Sequence, residues 1–229
     1  MTKGRRVLCI APHADDETLG CGGVLARHVK DGDDVTVAVV TGPGDGDHPV
    51  FQRSTWDVVR EEAAQAMRVL GVQTLTFANV PAALVDDVPK HVLNKTVHGL
   101  IDAAKPEVMY VPHPYDLHKD HREIFHAASV AWRTTAPLGR GIREIYAYEV
   151  LSETHWNAGA IEGAFIPNAW FNITSTLDTK LRALACYGSQ LRPFPDARSV
   201  EAAQALARTR GAQMSMEAAE AFAIVRVIG

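Results

Sequence analysis

Residues 11–23 read APHADDETLGCGG. Before them, Val7-Leu8-Cys9-Ile10 is an apolar run of strand length that Pro12 stops. After them, Leu19, Val24, Leu25 and Val29 recur at helical spacing as far as Asp31-Gly32. The stretch reads as a buried strand that delivers His13, Asp15, Asp16 and Glu17 into the turn before a helix. In open α/β sheets that turn, at the carboxyl end of a strand, is where ligands bind. A second stretch, VPHPYDLHKDH at 111–121, has the same grammar. There the apolar run 108–111 ends in His113, Asp116, His118, Asp120 and His121. Two strand ends tipped with His and Asp predict one shared metal site.

Outward from these stretches, strands are expected at 5–11, 35–40, 75–77, 108–111 and 142–150. Helices are expected between them at 17–30, 56–70, 88–104 and 121–132. Val35 to Val40 is a near-continuous β-branched run, typical of a parallel strand covered on both faces. The alternation predicts an α/β fold: a Rossmann-like, doubly wound, mostly parallel sheet flanked by helices in three layers. After residue 150 the pattern weakens. A strand at 170–174, helices at 176–185 and 200–209 and a terminal strand at 223–228 complete the reading. The glycine and proline punctuation at 137–141 and 193–195 reads as surface loops. No repeat or linker divides the chain, so 1–229 is read as one domain. Gly20, Gly22 and Gly23 read as close packing of helix on sheet, Glu17 as serving the helix N-terminus, and Trp56 as core.

The chain has 229 residues and a formal charge of -4, which gives no basic balance for nucleic acid or an acidic membrane. No apolar stretch approaches the ~20 residues of a membrane span. Its three cysteines form no disulfide pattern and suit buried thiols in a reducing compartment. The expected address is the cytoplasm. Oligomeric state is not readable, and a homo-oligomer is compatible with the chain.

A hydrolytic zinc site needs three protein ligands and one open position. His13 and Asp16 lie three apart in a turn and can converge on one ion. His118 and His121 lie three apart at a helix start and share a face. His121 then supplies the third ligand, while His118 stands beside the open position. Asp15, between His13 and Asp16, faces the water side as a candidate base. His113 either lines the site or fills the strand end. Asp116 is more suited to orienting a turn or a histidine than to binding metal.

APHADDETLGCGG resembles the first metal motif of the PIG-L/LmbE-like family of zinc-dependent N-deacetylases, with Ala14 in place of the family's usual Pro. HPYDLHKDH resembles its second, an H-x-x-H with an acid before the last His. REEAAQAMRVLG, TLDTKLRALACYGSQ and AEAF extend the likeness over most of the chain. The resemblance implies that His13, Asp16 and His121 hold the metal. It implies Asp15 as general base, and His118 as the group that stabilises the oxyanion or protonates the amine. Asp120 would stand behind the ligands and pair with an arginine of the second helix that also meets substrate. Arg60 is the nearest candidate, one residue closer to Leu70-Gly71 than in the family.

The implied activity is removal of an N-acetyl group from a small N-acetylated molecule, an amino-sugar conjugate, by water activated at the metal and Asp15. His118 enters this scheme as an imidazolium. The cofactor is Zn2+, and Fe2+ suits the same ligands. The alternatives are another metal-dependent amidase or phosphoesterase, or a nucleotide-binding oxidoreductase. The oxidoreductase needs an acid at the end of strand two, where Val40-Thr41-Gly42 has none.

Overall fold

The computed structural model describes residues 4–229. In chain order, β1 (Arg6–Ala11) leads to α1 (Asp16–Lys30), β2 (Asp34–Gly42), α2 (Arg53–Leu70) and β3 (Thr74–Pro81). A 3-10 turn at Val85–Asp87 precedes α3 (Lys90–Ala104), β4 (Val108–Pro112), α4 (Lys119–Ala131) and α5 (Pro137–Gly141). Then come β5 (Glu144–Tyr148), α6 (Leu151–Thr154), α7 (Gly159–Glu162) and β6 (Ala169–Asn172). α8 (Leu177–Leu184), α9 (Val200–Ala212) and β7 (Ala219–Val227) complete the chain.

The strands form one sheet in the order β3-β2-β1-β4-β5-β7-β6. β1 through β5 pair in parallel, and β7 runs antiparallel to both β5 and β6. The order reverses between β1 and β4, which pair with Leu8 opposite Met109 and Cys9 opposite Tyr110. Their carboxyl ends therefore open side by side at a topological switch point.

Alternation along β1 divides the core in two. Val7, Cys9 and Ala11 join Leu25, Met67, Leu184 and Tyr187, under α1, α2 and α8. Leu8 and Ile10 face the other way, into Leu93, Val97, Ile101 and Ile124 of α3 and α4. This is the three-layer architecture expected. Gly20 lets α1 lie on the sheet, since a Cβ there would come within 2.4 Å of the Tyr148 ring. At Gly23 it would meet Ile173 at 2.7 Å, so these glycines serve packing.

The differences from expectation cluster at the edges. β3 is an edge strand with mostly half-exposed residues, so no apolar run marks its length. β7 begins four residues early, at Ala219, because β5 and β6 supply partners on both sides and override the weak strand preference of its alanines. Residues 137–141, expected as a loop, form the short helix α5. All three cysteines are free, with Cys9 and Cys21 buried and their Sγ atoms 3.6 Å apart. Among the described residues no helix is long and apolar enough to cross a membrane.

Candidate active site

The turn after β1 is fixed by its backbone. Thr41 donates to the Pro12 carbonyl from both its amide (3.1 Å) and its Oγ1 (2.7 Å). The His13 amide donates to Asp16 Oδ2 at 2.8 Å, which sets the Asp16 carboxylate at the start of α1. Asp15 sits at φ 123°, in the region side chains avoid. Its amide donates to Glu17 Oε2 at 3.1 Å, and Glu17 Oε1 accepts from Thr18 Oγ1 and from the Tyr187 hydroxyl. Strain of this kind is kept where surrounding contacts over-determine it, commonly at functional sites.

Across the switch point, β4 ends and Asp116 turns back. Its Oδ2 lies 2.8 Å from His121 Nδ1, which aims His121 Nε2 at Asp16 Oδ2, 3.2 Å away. His13 Nδ1 reaches the same oxygen at 3.4 Å. One donor atom each from His13, Asp16 and His121 thus fall within 4.8 Å of one another. Asp16 Oδ1 and His121 Nε2 are buried without a hydrogen-bond partner. Orphaned polar atoms converging in this way fit a cation.

A second group, His13, His118 and Asp120, is equally compact. Asp120, however, is already satisfied by the Ala83 and Val85 amides and by His13 Nε2, at 2.6, 3.3 and 2.9 Å. His118 Nδ1 accepts from the Asp120 amide at 3.2 Å. The first group is therefore the better cation site.

The electrostatics agree. Burial pulls the His13 imidazole down, but its hydrogen bonds to Asp120 and Asp16 outweigh this and carry it up to about 9. At His121, Asp16 and Asp116 likewise outweigh burial and hold it well above the usual histidine range. Positive charge is favoured between these carboxylates, and a divalent cation answers that demand. Burial, with Asp16 beside it, raises the Asp15 carboxyl to about 8, and Asp15 Oδ1 has no partner.

His118 departs from expectation. It caps α4 from outside the helix, and burial and then His13 push it down to about 4. With Nδ1 accepting, its proton sits on Nε2. Both features favour a neutral ring that donates from Nε2, where an imidazolium was expected.

One further expectation is corrected, and one alternative left open by the sequence is decided. Among the described residues no arginine pairs with Asp120. Arg60 lies about 100° around α2 from the cleft-lining Val59, with its guanidinium 5.4 Å over the Phe77 ring. His113 fills the end of β4, edge-on to Tyr115 and Phe165, and is not among the cleft-lining residues.

The cleft above His13 and Asp15 is walled by Phe51, Trp56 and Val59, by Ala82 and Ala83, and by Arg198. Arg198 Nη1 stands 3.7 Å from Asp15 Oδ2. Nothing in the sequence marks Arg198: it precedes Ser199, which caps α9 by accepting from the Ala202 amide, and reads as an ordinary turn residue. Trp56, expected in the core, lines the cleft.

Residues 8–132 match the family model described as PIG-L, GlcNAc-PI de-N-acetylase. The chain is 32% identical over 161 residues to YaiS, an uncharacterized deacetylase of Escherichia coli K12, covering 66% of this chain and 76% of that protein. It is 26% identical over 208 residues to a diacetylchitobiose deacetylase of Thermococcus kodakarensis, covering 84% of this chain and 71% of that one. Among solved structures, the 4-carboxy-2-hydroxymuconate hydratase of Pseudomonas putida KT2440 superposes with a TM-score of 0.76. At 20% identity, with 97% of this chain and 98% of that one covered, it shares the fold.

Proposed function

This chain belongs to the PIG-L family, and on that premise we propose that it removes the N-acetyl group from a small N-acetylated amino-sugar conjugate. The observation that carries the reading is the buried meeting of His13, Asp16 and His121 beside an unpartnered Asp15 oxygen. These three residues would hold Zn2+, or Fe2+, which the same donors accept. Bound there, the cation would acidify a water and polarise the acyl oxygen.

The chain's own groups divide the remaining work. Asp15 takes the proton of the attacking water through the oxygen that is buried without a partner. His118 donates its Nε2 hydrogen to the oxygen that becomes negative as the acyl carbon turns tetrahedral. Asp116 holds His121 in one orientation and one tautomer. Asp15 then returns the proton to the departing nitrogen, giving an amine and acetate without a covalent enzyme intermediate. The free, buried thiols support a cytoplasmic address, and the single continuous sheet supports one catalytic unit over 1–229.

The test strips metal with a chelator, restores Zn2+ or Fe2+ separately, and follows acetate release from N-acetyl sugars alongside phosphate esters. Release that depends on metal and is confined to the N-acetyl sugars is expected. Equal release from stripped and restored protein, or turnover of the esters alone, refutes the reading.

A further inference from the structure

Arg198 is the only lysine or arginine among the described residues that line the cleft. Its side chain is 27% exposed, and its direction is fixed from behind. Nε donates to Ser152 Oγ at 3.2 Å and Nη2 to Glu153 Oε1 at 3.3 Å. Nη1 makes no hydrogen bond and points along the cleft toward Asp15, 3.7 Å from its Oδ2. A guanidinium carries five donors, so both Nη1 hydrogens remain for a ligand. Because Nη1 stands next to the catalytic carboxyl, that ligand atom lies close to the scissile amide.

Charge decides what the ligand is. The guanidinium already faces Glu153, buried behind it, and Asp15 in front. Its positive charge is matched by these two neighbours. A substrate carboxylate there would meet two acids across one cation, whereas a neutral hydroxyl oxygen meets only free donors. Part of the lining is apolar, with Trp56 and Val59 of α2 three apart on one helix face. A ring with one apolar face and hydroxylated edges suits such a lining.

We propose that Arg198 determines substrate choice. Its Nη1 donates to a neutral hydroxyl on a carbon adjacent to the one bearing the acylated nitrogen, selecting hydroxylated N-acetyl amines over N-acetyl amino acids. The inference rests on the deacetylase reading. It differs from the expected arrangement in the source of the arginine, which comes from the segment before α9 and not from α2.

The experiment compares metal-loaded wild type, Arg198→Met and Arg198→Lys on four probes: N-acetylglucosamine, its 1-deoxy and 3-deoxy analogues, and N-acetylglycine. In wild type, one deoxy analogue should lose about tenfold or more in kcat/KM, the range of a hydrogen bond to a charged group. Arg198→Met should lose a similar factor on N-acetylglucosamine and little more on that same analogue, so the two deletions are not additive. Arg198→Lys should recover part of the loss, and N-acetylglycine should be the poorest probe for wild type. Equal losses by Arg198→Met on all probes indicate a structural role and overturn the proposal. So does a wild type indifferent to both deoxy analogues, which needs no variant to fold. Preference for N-acetylglycine overturns the hydroxyl assignment while leaving the deacetylase reading intact. Acetate release from no probe at all refutes both.

Discussion

The floor of the cleft and its wall are built differently. The floor comes from two strand ends that pair in the sheet, each carrying its polar groups within a few residues of the last apolar one. Its groups are buried and held by neighbours close in sequence: Asp16 by the His13 amide, Asp15 by Glu17, His121 by Asp116. The wall comes from α2, from the loop after β3 and from the segment before α9, which meet only in three dimensions. Its polar-tipped Trp56 and Arg198 are half-exposed, and Arg198 is held by the distant Ser152 and Glu153. On the proposed reading, the floor carries the reaction and the wall chooses among substrates. The hydratase that shares this fold at 20% identity shows that architecture alone does not dictate chemistry.

If the comparison is right, the floor should be intolerant of change. Asp15→Asn should lower kcat by about 10²–10⁴-fold with bound metal unchanged, measured by acetate release and metal analysis. Loss of metal together with activity would move Asp15 among the ligands. Asp116→Asn should weaken metal affinity by ~10–100-fold, read by competition with a chelator, because His121 loses the carboxylate that orients it. Unchanged affinity would mean that packing alone orients the ring.

The support beneath the floor should be less sensitive. Gly20→Ala drives a methyl into Tyr148 and should cost about 1–3 kcal/mol in urea unfolding, with kcat of the folded fraction little changed. At the wall, Trp56→Leu should raise KM by less than about tenfold, the scale of one aromatic contact, and leave kcat near wild type. A large fall in kcat there would erase the distinction between floor and wall.

The floor was legible because its chemistry is local. A strand end followed by a helix start places residues 13, 15 and 16 in one turn, and 116, 118 and 121 in another, whatever the rest of the chain does. That the two turns meet is read from their matching His and Asp residues; the strand order that sets β1 beside β4 comes from the structure, since alternation is compatible with other doubly wound orders. The wall was not legible for the same reason inverted. Trp56 and Arg198 carry no neighbouring signal, and a helix turned by one residue decides that Val59 faces the cleft while Arg60 stacks on Phe77.

The sequence by itself determined the layered α/β fold, the two polar strand ends and the grouping of His13, Asp16 and His121. Only the tertiary structure decided the antiparallel seat of β7, the accepting role of His118 Nδ1 and the arginine that faces Asp15. The first set depends on periodicity and spacing within about a dozen residues. The second depends on which distant groups burial brings together: partner strands for Ala219–Val227, the Asp120 amide and His13 around His118, and Glu153 behind Arg198.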